Sequence, residues 1–208
     1  MDGKWQKSTM KREEMKKRTV LYGGSFNPIH LGHLALGQYL LETQPVDEVW
    51  YMISPQNPLK QADGLLPDAD RLELVRKAVE GCAGLAACDF EFRLPRPSYT
   101  VHTLEAIRRA FPDREFSLLI GADNWAHFPR WHQFRKILDE NEIFVYPRTG
   151  YPLHTEDLPP QVHVLDAPLF DASSTDIREA IAGGNPESVA GLLPPAVYRE
   201  ILRRGFYR

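Results

Sequence analysis

Residues 19–33 read Thr19-Val20-Leu21-Tyr22-Gly23-Gly24-Ser25-Phe26-Asn27-Pro28-Ile29-His30-Leu31-Gly32-His33, and this order of residue types constrains the fold more than any other stretch. The apolar run Val20-Leu21-Tyr22 suits a buried strand, and it stops at two glycines. Glycines at a strand end let the backbone approach a phosphate with no Cβ in the way. Asn27-Pro28 supplies a turn or a helix cap. Two histidines three residues apart then share one face if a helix begins there. Strand, glycine turn and helix start together make an anion site that carries its own imidazole donors. A plain strand-to-helix turn with two surface histidines is the alternative, and it leaves three later segments without a role.

Strand and helix patterns alternate from there on. The sequence predicts strands at Arg18–Tyr22, Glu48–Ser54, near Ala86–Phe92, Glu115–Ile120, Glu142–Tyr146 and Val162–Asp166. Helices are expected at Leu31–Glu42, about Asp70–Glu80 after a Pro67-Asp68 cap, near Val101–Ala110, Ser174–Ala182 and Pro195–Arg204, with Trp125–Leu138 partly helical. Gly183-Gly184 and Gly205 end the last two helices. This alternation implies an α/β fold, a doubly wound, mostly parallel sheet of about six strands with helices on both faces. Ligands in such sheets sit beyond the carboxyl ends of the strands, so residues just after strands are the ones to inspect.

At 208 residues the chain fits a single domain, placed at residues 18–208. Residues 1–17 are rich in charge and poor in apolar side chains, which reads as a flexible tail outside the fold. A formal net charge of -3 gives no basic footprint for nucleic acid. No apolar run approaches the roughly 18 residues of a membrane span, and the basic N-terminus lacks the apolar region of an export signal. Cys82 and Cys88 have no metal-site pattern around them and read as thiols of a reducing, cytoplasmic protein.

Gly23–His33, Ser54–Lys60, Gly121–Trp131 and Ser173–Arg178 directly follow predicted strands, and three segments besides the first suggest chemistry. In Ser173-Ser174-Thr175-Asp176-Ile177-Arg178, hydroxyls and free N–H groups at a helix start suit a phosphate, and Arg178 can add a charge-assisted contact. In Gly121-Ala122-Asp123-Asn124-Trp125, the Asp123 carboxylate suits a hydroxyl-rich ribose. Trp131, after Phe128-Pro129-Arg130, can offer its face to a planar ring, whereas Trp125 fits the core better. The turn Arg96-Pro97-Ser98-Tyr99-Thr100 leads into a helix with Thr100 at or near its cap.

The glycine–histidine element resembles the T/HxGH signature of the nucleotidyltransferase superfamily. All four segments in this order, over about residues 18–206, resemble the bacterial nicotinate-nucleotide adenylyltransferase family. The resemblance implies transfer of AMP from ATP to nicotinate mononucleotide in NAD biosynthesis, with Mg²⁺ carried by ATP and no protein metal site. It implies that His30 and His33 are catalytic. Gly23, Gly24, Ser25, Phe26, Ser173, Ser174, Thr175 and Arg178 would bind ATP. Asn57, Lys60, Thr100, Asp123, His127 and Trp131 would bind the mononucleotide. Two positions depart from the family pattern. Asn27 stands where an aspartate is common, keeping a capping oxygen without the charge, and His127 stands where many members have tyrosine, at a contact ascribed to a backbone N–H. Nicotinamide mononucleotide or phosphopantetheine as acceptor, a non-catalytic nucleotide sensor and a homo-oligomer are left open.

Overall fold

The computed structural model describes residues 16–55, 64–153, 155–168 and 173–208. Asn57, Lys60 and most of the expected N-terminal tail lie outside the described residues. In chain order the elements are β1 (Lys17–Gly24), α1 (Leu31–Thr43), β2 (Glu48–Ile53), α2 (Asp68–Val79), β3 (Leu85–Cys88), α3 (Thr100–Ala110) and β4 (Arg114–Gly121). Then come α4 (Ala122–Ala126), α5 (Phe134–Glu140), β5 (Ile143–Tyr146), β6 (Val162–Val164), α6 (Ser174–Ala182) and α7 (Pro195–Arg204). The six strands form one sheet in the order β3-β2-β1-β4-β5-β6, and every pairing is parallel. The chain walks outward from β1 to β3 and then returns to β1's other side, so the switch point lies between β1 and β4.

Side chains alternate across this sheet and seed two cores. Val20 and Tyr22 of β1, with Tyr51 and Ile53 of β2, pack against α1, α2, α6 and α7 through residues such as Leu40, Leu74, Ile177 and Ile201. Leu21, Trp50, Met52, Leu118 and Ile120 point the other way, onto Leu104 and Ile107 of α3 and Ile137 of α5. Burial on both faces is why these strands read as continuous apolar runs.

The boundaries differ from the sequence expectation where an element loses its partner. β1 starts at Lys17, whose N–H donates to the Asp113 carbonyl at 3.1 Å. β3 stops at Cys88, opposite Met52 near the end of β2, and Phe90–Arg93 coils into a 3₁₀ turn instead of extending the strand. β6 is three residues long at the sheet's far edge. The Trp125–Leu138 stretch resolves into the end of α4, a 3₁₀ turn at Phe128–Arg130 with Pro129 in its first positions, and α5. Thr100 is the first residue of α3, next to its N-cap Tyr99, as the turn implied. A 3₁₀ segment at Pro186–Leu192 precedes α7 and has no counterpart in the sequence expectation.

One glycine positions the histidine-bearing helix. A Cβ on Gly37 would lie 2.1 Å from the Tyr51 hydroxyl, which donates to the His33 carbonyl at 3.0 Å. Without a side chain at Gly37, α1 rests directly on β2 and takes its orientation from that strand. Among the described residues no helix is long and apolar enough to cross a membrane.

Candidate active site

The β1–α1 turn is fastened by its own carbonyls and by one buried amide. Arg71, wholly buried on α2, donates to the Ser25 carbonyl at 2.5 Å, to the Leu66 carbonyl at 3.0 Å and to Asp68 at 2.6 Å. Arg178 on α6 donates to the Asn27 carbonyl at 2.8 Å, and the Ser174 hydroxyl donates to the Pro28 carbonyl at 2.9 Å. The Asn27 side chain is buried too. Its Nδ2 donates to the Gly64 carbonyl at 2.9 Å, and its Oδ1 accepts from the Leu66 N–H at 3.2 Å and from the Tyr207 hydroxyl at 3.0 Å. With its acceptor ends held, the turn directs no free carbonyl charge toward an incoming anion at these positions.

Inside this frame Phe26 adopts a left-handed backbone (φ 45°) and buries its ring between Tyr22, Tyr51 and His33 at centroid distances of 5.2–5.6 Å. A Cβ on Gly24 would sit 3.0 Å from that ring, whereas one on Gly23 would meet nothing within 4 Å. Gly24 is therefore required by Phe26 packing, and Gly23 borders open space at the strand end.

His30 is the N-cap of α1, and its ring stacks on His33 at 3.7 Å. The His30 backbone N–H donates to His33 Nδ1 at 3.2 Å, so a neutral His33 ring carries its proton on Nε2. His30 is buried, and its Nδ1 has no hydrogen-bond partner among the described residues. Burial, helped by the Arg148 guanidinium, pushes its pKa down to about 4, so the ring is neutral at pH 7.

These groups line a cleft of about 920 Å³ that opens over the carboxyl ends of β1 and β4. Gly23, Gly24, Ser25, Phe26, His30 and His33 form one wall with Ser173, Ser174, Thr175 and Arg178. The Ser173 hydroxyl caps α6, accepting from the Thr175 and Asp176 N–H groups at 3.1 and 3.4 Å. Thr100, Asp123 and Trp131 line the cleft as well, with Trp131 tilted on Phe128 at 5.3 Å. Trp125 stacks on Phe128 at 5.1 Å and belongs to the second core.

His127 is the exception. It is exposed and does not line the cleft, and its backbone N–H already donates to the Asn124 carbonyl at 3.1 Å as the cap of α4. The expected mononucleotide contact at His127 is therefore dropped.

Sequence reasoning missed several residues. Arg148, beyond β5, lies in the cleft 3.3 Å from Asp123 Oδ1 and 3.1 Å from the Tyr146 hydroxyl. Its position just after a strand was the only available signal. Arg71, Glu91 and Tyr207 carried none, because their hydrogen bonds to Ser25, Ser54 and Asn27 are met only through tertiary packing. A Cβ on Gly121 would approach Asp123 Oδ1 to 2.3 Å, so a side chain there would push that carboxylate aside. Among the described residues no group of three or more His, Cys, Asp or Glu could hold a metal ion.

The profile of the cytidylyltransferase-like family matches residues 21–180. A protein of Bacteroides fragilis named probable nicotinate-nucleotide adenylyltransferase is 51% identical over 189 residues, covering 91% of this chain and 93% of its own. A Bacteroides thetaiotaomicron protein of the same name is 48% identical over 195 residues, covering 92% and 96%. In structure, the chain is similar to Plasmodium falciparum nicotinic acid mononucleotide adenylyltransferase complexed with NaAD. The TM-score is 0.77 at 18% identity, covering 92% of this chain and 97% of that one.

Two outcomes follow from the site's hydrogen bonds and burial. Asn27→Asp sets a second oxygen against the Gly64 carbonyl, and should cost about 1–3 kcal/mol in urea unfolding at pH 7. The loss should shrink as pH falls and the carboxyl protonates; parent-like stability at pH 7 would show that the amide donor is dispensable. His30 binds a proton more weakly folded (about 4) than unfolded (6.5). Its contribution is therefore complete above pH 6.5 and is lost as pH falls toward 4, by on the order of 3 kcal/mol. Unfolding measured over that range should be less acid-sensitive in His30→Asn than in the parent, and equal slopes would contradict the burial argument.

Proposed function

We infer the chemistry from one premise: this chain belongs to the nicotinate-nucleotide adenylyltransferases, within the cytidylyltransferase-like family. It is an enzyme that transfers AMP from ATP to nicotinate mononucleotide, giving nicotinate adenine dinucleotide and pyrophosphate. An oxygen of the mononucleotide 5′-phosphate attacks the α-phosphorus of ATP in line. The bond to the β-phosphate breaks, and its electron pair leaves with pyrophosphate. The nucleophile is already an anion, so no general base is required. Catalysis then depends on holding two polyanions together and stabilising charge on the α-phosphoryl oxygens and the leaving group.

The observation that carries the assignment of roles is the stacked pair at the start of α1. The stacked imidazoles of His30 and His33 at the start of α1, lining the cleft, support giving them the α-phosphate. The backbone at Gly23–Phe26 and the start of α6, from Ser173 to Thr175, would take the rest of the triphosphate, with the positive ends of α1 and α6 facing it. Arg178 would contribute its field while clasping the turn. Thr100 and Trp131 would frame the pyridine ring, and Asp123 a ribose. We assign the contacts to the mononucleotide phosphate to Asn57 and Lys60 on the family resemblance. ATP is taken as its Mg²⁺ complex, a substrate carrying its own metal. Free thiols at Cys82 and Cys88 and the net charge of -3 favour a cytoplasmic enzyme without a nucleic-acid partner.

The test is pyrophosphate release with ATP and three acceptors: nicotinate mononucleotide, nicotinamide mononucleotide and phosphopantetheine. Nicotinate mononucleotide should give the highest kcat/KM, and preference for either other acceptor overturns the substrate assignment. His33→Ala should lower turnover by roughly two to three orders of magnitude, the scale for one pre-organised donor to a developing anion. Turnover within about threefold of the parent would remove His33 from the catalytic group.

A further inference from the structure

Glu91 is a buried carboxylate with no arginine or lysine paired to it among the described residues. It sits in the 3₁₀ turn after β3, and one edge of it borders the cleft. Three hydroxyls donate to it: Thr103 to Oε1 at 2.8 Å, Ser98 to Oε2 at 3.4 Å, and Ser54. Those partners come from three separate places. Ser54 directly follows β2, Ser98 is in the turn before α3, and Thr103 is inside α3. Burial raises the pKa of Glu91, the sign that its charged form is disfavoured by the fold. An apolar residue would fill such a place with less penalty, so stability does not explain a carboxylate here.

Location supplies the explanation. Ser54, Ser98, Tyr99 and Thr100 all line the cleft next to Glu91. Tyr99 in turn packs on His132 at 4.7 Å, one residue beyond Trp131. A single acceptor therefore sets where the Ser98–Thr100 turn stands relative to the end of β2 and, through Tyr99, relative to the Trp131 segment. None of these side-chain bonds touches the Gly23–His33 turn or α6, although the Ser54 backbone N–H separately donates to the Gly24 carbonyl at 2.9 Å.

We infer that Glu91 is a positioning residue for the mononucleotide, latching the Ser98–Thr100 turn to Ser54 and Thr103 so that the pyridine ring meets a wall of fixed width. This rests on the assignment of Thr100 and Trp131 to the mononucleotide. Three hydroxyls are a suitable donor set for the purpose. Each can rotate to serve an acceptor, so the latch needs no counter-cation inside a cleft that must receive two anionic substrates.

The experiment compares Glu91→Leu, Glu91→Gln and Trp131→Ala in the full chain, measuring KM for each substrate by pyrophosphate release and thermal melting. Glu91→Leu should raise KM for nicotinate mononucleotide by about tenfold, leave KM for ATP within about twofold, and melt no lower than the parent. Glu91→Gln keeps an acceptor oxygen, and should restore KM to within about threefold of the parent. Equal rises for both substrates, or an unchanged mononucleotide KM, would overturn the inference. Should Glu91→Leu fail to fold, Ser98→Ala decides: it removes one donor at little change in volume, and must raise the mononucleotide KM selectively. Trp131→Ala separates the two levels. If it raises the mononucleotide KM selectively while the Glu91 variants do not, the latch alone is wrong. If it affects both substrates alike, the wall itself has been misassigned.

Discussion

Everything in the cleft depends on how the backbone between Ser25 and Pro28 is held. Carbonyl oxygens repel a triphosphate, so a turn meant for one must direct them elsewhere and satisfy them there. Three donors from distant elements do so here: Arg71 of α2, Arg178 and Ser174 of α6. Asn27 adds a neutral amide that both donates and accepts, and thereby joins the turn to Gly64, Leu66 and Tyr207. An aspartate could not donate to Gly64 while ionised, which gives a physical reason for this chain's departure from its family's pattern.

The fixed turn delivers α1, and Gly37 sets the helix down on β2. The His30 imidazole then occupies a dry position beside Arg148, where it stays neutral, with the half-buried His33 ring stacked on it. Permanent positive charge comes from Arg148 and Arg178, and the imidazoles supply directed hydrogen-bonding groups. That division suits a reaction in which negative charge is redistributed on phosphoryl oxygens and no proton has to be removed from the nucleophile.

Each face of the sheet supports one side of the cleft. The core under α1 and α6 includes Phe26 and Ile177, and it carries the turn proposed for ATP. The core under α3 and α5 includes Phe128 and packs against Tyr99 and Trp131, and it carries the wall proposed for the mononucleotide. Because β1 and β4 are neighbours at the switch point, the two walls converge above them. The two substrates can thus be perturbed separately.

Local periodicity determined the element order, the parallel sheet and the placing of cleft-lining residues after strands, because those depend on patterns within ten or so residues. The glycine–histidine element and the Ser173–Arg178 stretch were legible for the same reason: each is a contiguous segment whose chemistry is readable from spacing. Element ends were decided by partners, as at β3, which stops opposite the end of β2. Tertiary structure also decided which side chains fasten the site. Arg178 and Ser174 proved to be fasteners of the turn, and the N–H of His127 proved to be committed to a helix cap. Arg71, Glu91, Arg148 and Tyr207 stand in stretches without any motif. Their roles arise from hydrogen bonds and burial between segments as far apart as Asn27 and Tyr207, and no local pattern encodes a desolvated contact across that distance.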